Sequence, residues 1–145
     1  MAKRILVPLS GREDAEAVLA LVADAGRSGG ATVRLLRVAA YPRMRTGPDG
    51  RVIAYVDQET NRLEGESQRY LRDVEARLDG VAVERRVAFG DPADEIVREA
   101  EAFDADLIAV SERRRPWWRP ALARLVDRVR GRVRVPVLAL SGAGR

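Results

Sequence analysis

The stretch "GDPADEIVREAEAFDADLIAVS", residues 90–111, decides the fold because it joins a well-defined helix to a buried strand. Asp91 is a residue type that caps helices, and Pro92 suits the first helical position. A 3.6-residue spacing then predicts one buried helical face, formed by Ile96, Val97, Ala100 and Phe103. The apolar run Asp106–Val110 follows, and its length predicts a buried strand.

Strand and helix alternate outward from this unit in both directions. Short apolar runs predict four further strands, at Arg4–Ser10, Ala31–Ala40, Val81–Gly90 and Val135–Leu140. Amphipathic stretches predict helices at 12–30, Asp57–Leu78, Asp91–Ala105 and Ala121–Arg130. Residues 41–60 form an irregular crossover with turn residues at Gly47–Gly50. Five strands and four helices predict one domain, residues 1–145: a three-layer, doubly wound α/β sandwich with a parallel sheet.

In such a sheet, ligands bind at the carboxyl ends of the strands, near the point where the strand order reverses. This rule places Ser10, residues 38–41, Gly90 and Ser111 around one cleft.

Composition excludes several kinds of chemistry. The 145 residues include no cysteine and no histidine, which removes disulfides, thiolate metal sites and the commonest general base. We therefore predict no catalytic residues, no metal site and no enzyme activity. The hydrophobic fraction of 46% and charged fraction of 33% are typical of a soluble globular protein. No membrane-spanning run and no signal-type segment is present, so we expect a cytoplasmic protein.

Charge is distributed unevenly along the chain. Residues 1–110 have a net charge of −4, and residues 111–145 have a net charge of +8. The loop "SERRRPWWRP" (111–120) has four arginines and two tryptophans at the turn where a glycine-rich phosphate loop is expected. A basic region of this kind attracts anions, although 25 arginines against a single lysine also indicate a compositional bias.

Three segments together resemble the universal stress protein family. They are "RILVPLSG" at residues 4–11, the stretch at 90–111, and "VPVLAL" at residues 135–140. The resemblance covers residues 3–140. It implies the sheet order 3-2-1-4-5 of an adenine nucleotide alpha hydrolase-like fold. It also implies a homodimer paired through the last strand, at Val135, Val137, Leu138 and Leu140. An apolar edge strand needs such a partner to stay covered.

Some members of that family bind ATP, through an Asp after the first strand and a Gly-x-x-Gly loop followed by Gly-Ser. This sequence has Ser10 at the Asp position and Ser111 to Arg114 at the Gly-x-x-Gly positions. Ala123 and Arg124 stand at the Gly-Ser pair. Side chains at the glycine positions obstruct close phosphate approach, so we predict no cofactor and no ATP binding in the usual mode. The corresponding cleft positions are Ser10, Val38, Gly90, Ser111, Arg113, Arg114 and Arg124.

Three hypotheses remain for the loop. In the first, Trp117 or Trp118 fills the cleft, and the protein is a dimeric regulatory binding module. In the second, arginines that include Arg128 replace the glycines and bind a nucleotide such as ATP or AMP, or nucleic acid. In the third, the basic and aromatic residues contact a membrane surface or an acidic loop of a transporter. The first is our leading hypothesis, and the second is the alternative.

Overall fold

The structure is a computed structural model that describes residues 2–10, 15–41, 45–46, 48, 50, 52–54, 56–111 and 119–140. Its strands are β1 Arg4–Leu9, β2 Thr32–Ala39, β3 Arg45–Thr46, β4 Val52–Ala54, β5 Ala82–Phe89, β6 Leu107–Ser111 and β7 Val137–Leu140. Its helices are α1 Glu16–Gly29, α2 Val56–Glu75, α3 Pro92–Phe103 and α4 Arg119–Arg130.

The main sheet has five strands in the order β5-β2-β1-β6-β7, and every pairing in it is parallel. Counted along the chain without β3 and β4, this is the order 3-2-1-4-5, so the predicted fold class is confirmed. β3 and β4 form a separate antiparallel pair inside the crossover. Strands of two and three residues are too short for periodicity to reveal, so the predicted irregular crossover did not include them.

Two apolar layers lie on opposite faces of the sheet because side chains alternate along each strand. On one face, α1 and α2 pack over side chains that include Ile5, Val7, Val33, Leu35 and Ala109. On the other face, α3 and α4 pack over side chains that include Leu6, Leu36, Ile108, Val110 and Val137. The central strands β1 and β6 contribute to both layers, which explains their nearly continuous apolar sequence.

The ends of the helices follow local chemistry. The Asp91 carboxylate accepts a hydrogen bond from the Asp94 N–H and Pro92 begins α3, as predicted. Helix α1 ends before Gly30, which has a left-handed φ of 71°. Asp104 ends α3 in the same left-handed region, with φ of 56°.

Several predicted boundaries were wrong by a few residues. β1 ends at Leu9, before Ser10, and β6 extends to include Ser111. β7 begins at Val137, so Val135 precedes the strand. Helix α2 ends at Glu75, because the chain turns through residues 76–80 to reach β5. Leu78 is nevertheless buried, in the apolar layer under α1 and α2.

Candidate functional site

The carboxyl edge of the main sheet brings together most of the predicted cleft positions. Ser10 directly follows β1, Val38 is the second-to-last residue of β2, Gly90 directly follows β5, and Ser111 ends β6. These four strands are adjacent in the sheet, so the four residues lie in one row. Arg124 lies on α4, with its side chain exposed. Arg113 and Arg114 lie outside the described residues.

β1 and β6 are paired only at their amino ends. Their registered pairs are Ile5 with Leu107 and Leu6 with Ile108, whereas β1 pairs with β2 at six positions. In a regular parallel ladder the next bond would run from the N–H of residue 8 to the carbonyl of Ala109. Residue 8 is proline and has no N–H. The registered pairing therefore stops after Leu6 and Ile108.

Ser111, the last residue of β6, has a buried hydroxyl. The residue is 4% exposed, and its Oγ has no hydrogen-bond partner among the described residues. A buried polar atom without a partner costs about 1–3 kcal/mol of folding stability. Proteins usually satisfy such an atom or replace it with an apolar group. The hydroxyl is therefore an enclosed polar group near the edge of the sheet where ligands of this fold class bind.

The backbone conformation at position 90 and a close neighbouring side chain both favour glycine there. Its φ is +145°, which residues with a side chain rarely adopt, and an added Cβ would lie 3.0 Å from Glu95 Oε2. Glu95 is buried and pairs with Arg98 on the same helix. This glycine therefore shapes the entry to α3, and its place in the row of cleft residues has a structural explanation.

Asp91 links the start of α3 to α4. Its carboxylate accepts from Arg128 Nη2 at 2.9 Å, in addition to the Asp94 N–H. The Asp94 N–H and then the Arg128 guanidinium hold the pKa of Asp91 below its ordinary value of 3.8. Because Arg128 is held by this ion pair, it contributes to α3–α4 packing and is a weaker candidate for binding an external anion.

Other arginines of the basic C-terminal third also bond within the chain. Arg132 pairs with Asp94, and Arg130 Nη2 donates to the carbonyl of Val137 at 2.7 Å. Part of the positive charge in this region is therefore matched by groups of α3 and β7. For Arg130 and Arg132, these contacts favour a compositional bias towards arginine over a role in binding an external anion.

An aromatic pair lies at the carboxyl edge of the sheet, where β2 and β5 end. Tyr41 follows β2, is 71% exposed, and stacks on Phe89, the last residue of β5, with ring centroids 6.1 Å apart. The predicted cleft includes Tyr41, within residues 38–41, but not Phe89, because their contact depends on the pairing of β2 with β5. Tyr55, the second tyrosine of the crossover, lies outside the described residues.

The residues predicted for a dimer interface lie on and just before β7, the edge strand on the opposite side of the sheet from β5. Val137 is buried, Leu138 is 40% exposed, and Leu140 is half-buried, all on the edge strand β7. Val135, also half-buried, lies just before the strand. An exposed leucine on an uncharged edge strand is a recognised site for strand pairing with another chain.

Two negative findings concern only the described part of the chain. No group of three or more acidic side chains there is arranged to hold a metal ion. No helix within the same ranges has the length and apolar character needed to cross a membrane.

The parallel sheet and the reversal of its strand order between β1 and β6 define a doubly wound α/β fold. The universal stress protein family model matches residues 1–141. The chain belongs to the universal stress protein family.

Solved structures of similar proteins share the fold. A universal stress family protein from Burkholderia pseudomallei is 23% identical, with a TM-score of 0.70 and 95% of each chain covered. The hypothetical protein MJ0577 is 23% identical, with a TM-score of 0.78, covering 99% of this chain and 98% of that one. A universal stress protein in complex with cAMP is 18% identical, with a TM-score of 0.64 and 97% of each chain covered. A search of curated proteins found no match.

Proposed function

We propose that this chain is a single-domain, cytoplasmic, non-catalytic binding module that acts in the stress response as a homodimer paired through β7. The observation that carries the proposal is the uncharged edge strand Val137–Leu140, with Leu138 40% exposed. Membership of the universal stress protein family supports the regulatory role. The absence of histidine and cysteine from the sequence supports a role without catalysis.

The backbone of β7 has hydrogen-bonding groups on its outer side, of which the Val137 carbonyl accepts from Arg130. The carbonyl of Pro136 accepts from Ile108, so the groups of Pro136 and Leu138 face β6. Alternation turns the N–H and carbonyl groups of Val137 and Ala139 outward. A second copy of β7, running antiparallel, can pair with these groups and cover Leu138.

Sedimentation velocity of the wild type and a Leu138→Lys variant tests this proposal. Lysine on an edge strand opposes strand pairing, so we expect a wild-type dimer and a monomeric variant with unchanged circular dichroism. The matched control is Ala82→Lys, which adds the same charge to an exposed position of the opposite edge strand, β5. A monomeric wild type, or equal dimerisation of all three proteins, would contradict the proposal.

A second candidate function is binding of an adenine nucleotide at the carboxyl edge, in a mode that does not use a glycine loop. The neutral, polar residues Ser10 and Ser111 at the carboxyl ends of β1 and β6 favour it, because ligands of this fold class bind at that edge. A structural neighbour in complex with cAMP adds support for the ligand class. Native mass spectrometry of the freshly purified protein, followed by titration with ATP, AMP and cAMP, tests it. Absence of any adduct at low salt would count against this function.

A further inference from the structure

We propose that a cavity at the amino edge of the main sheet binds a small apolar zwitterion, such as a free amino acid or a dipeptide. The cavity has a volume of about 460 Å³ and lies between the last turn of α2, the turn at 76–80 and the first half of β5. This volume is within the usual range for small-molecule sites. The nucleotide proposal concerns the carboxyl edge of the sheet, whereas β5 begins at this one, so the two sites are separate.

One wall of the cavity is the tight turn that follows α2. The Leu78 N–H donates to the carbonyl of Glu75 at 2.8 Å. Gly80 has a left-handed φ of +81°, a conformation that suits glycine. Arg27 of α1 also holds the turn, since its Nε donates to the Asp79 carbonyl at 2.7 Å. These contacts fix the backbone, so the cavity is formed before a ligand binds, which lowers the cost of binding.

Four charged residues line the cavity, two of each sign: Arg72, Arg85, Glu75 and Asp79. Glu75 and Arg85 pair with each other, with 3.3 Å between Oε1 and Nε. The Arg72 guanidinium and the Asp79 carboxylate have no hydrogen-bond or ion-pair partner among the described residues. The charges of the lining therefore cancel, and one cation and one anion are left to meet a ligand.

This charge pattern selects the class of ligand. A dianion would meet the unpaired carboxylate of Asp79 and the negative end of the α2 dipole, and a simple cation would meet Arg72. A zwitterion suits both groups. Its carboxylate can accept from the Arg72 guanidinium, and its ammonium can donate to Asp79 near the end of α2, where positive charge is favoured.

The remaining lining favours an apolar side chain on the ligand. Ala76, Leu78 and Val81 also line the cavity. An aliphatic group bound beside them loses contact with water, which is favourable. Pockets for small ligands commonly combine such apolar lining with a few polar groups that fix orientation.

A saturation-transfer NMR titration at low salt tests the ligand class. The probes are L-leucine and L-leucyl-L-leucine. The analogues N-acetyl-L-leucine and L-leucinamide each lack one of the two charges. We expect both zwitterions to bind the wild type and both analogues to bind about fivefold more weakly, because each analogue loses one charged hydrogen bond at a solvent-exposed site.

Substitutions test whether binding occurs in this cavity. Arg72→Gln and Asp79→Asn each remove one unpaired charge, and we expect about fivefold weaker binding of L-leucine to either variant. Arg69→Gln and Asp73→Asn are the matched controls, since both residues are exposed, lie on α2 and are not among the described residues that line the cavity. Arg72→Lys keeps the positive charge and should retain most of the affinity. Circular dichroism checks that each variant is folded.

The proposal is independent of the β7 dimer and of the nucleotide site. It is overturned if the wild type binds neither zwitterion, or if an analogue that lacks one charge binds as tightly as L-leucine. Equal weakening by the cavity variants and their controls, or no weakening by either cavity variant, would place the binding elsewhere and would also overturn it.

Discussion

The two edge strands of the sheet, β5 and β7, meet solvent in opposite ways. β5 has eight residues and exposes three consecutive charged side chains, Glu84, Arg85 and Arg86. Each has an ion-pair partner, respectively Arg34, Glu75 and Glu99. β7 has four residues, none of them charged. Charged side chains protect an edge strand from pairing with other chains, so the comparison indicates that β5 is protected and β7 is available.

The largest expected change in stability comes from the ion pairs between β5 and its neighbours. Glu99 is 5% exposed and bonds to Arg34 at 3.1 Å and to Arg86 at 3.3 Å. Glu99→Ala leaves the half-buried Arg34 with Glu84 as a carboxylate partner but without Glu99, so we expect a loss of about 2–3 kcal/mol of unfolding free energy in urea titrations. Glu66→Ala, which removes an exposed pair with Arg62, is the control and should change stability by less than about 0.5 kcal/mol. Similar losses in both variants would show that Glu99 has no special role at this edge.

The next largest expected change in stability comes from the close packing of α1 on Val81, just before β5. A Cβ on Gly26 of α1 would lie 2.5 Å from the Val81 side chain, whereas a Cβ on Gly65 of α2 would meet no atom of the described residues within 4 Å. We expect Gly26→Ala to destabilise the protein by about 2 kcal/mol through overpacking. Gly65→Ala should stabilise it by about 0.5–1 kcal/mol through helix propensity. Thermal unfolding measures both, and a stabilised Gly26 variant would contradict the close approach.

A smaller effect is expected on β7. The Arg130 guanidinium donates to the outward carbonyl of Val137, so it competes with an incoming strand for that group. Replacement by methionine removes the competing donor, and the dimer dissociation constant should fall by about fivefold. Sedimentation equilibrium measures the constant, with Arg134→Met as a control for loss of one exposed positive charge. Weaker dimerisation of the Arg130 variant alone would mean that the arginine supports the interface.

The smallest effect is a pH dependence at Asp91. Its folded-state pKa is lowered, so the ionised carboxylate contributes stability above its unfolded pKa, and that stability is lost as pH falls through the lower folded value. Asp91→Asn keeps a cap acceptor but removes the charge. We expect the variant to be slightly less stable than the wild type at pH 7, with the difference vanishing as the pH falls below about 4. A difference that is constant with pH would assign the effect to the cap alone.

The sequence by itself determined the fold class, because alternating periodicities and capping residues are local. Asp91 and Pro92 begin α3, and the apolar runs mark the strands, whether or not the rest of the chain is known. Resemblance supplied the strand order and the family, and both were confirmed. The predicted roles of the cleft and interface residues stay predictions.

Only the tertiary structure decided which residues act together. Pro8 ends a ladder only because β6 lies beside β1, and the Ser111 hydroxyl lacks a partner among the described residues only because the chain buries it. Arg128 is an arginine of a basic segment in the sequence, yet in the fold it holds Asp91, 37 residues away. These contacts join residues that are distant along the chain. Periodicity and propensity describe only neighbours, so they carry no information about such contacts.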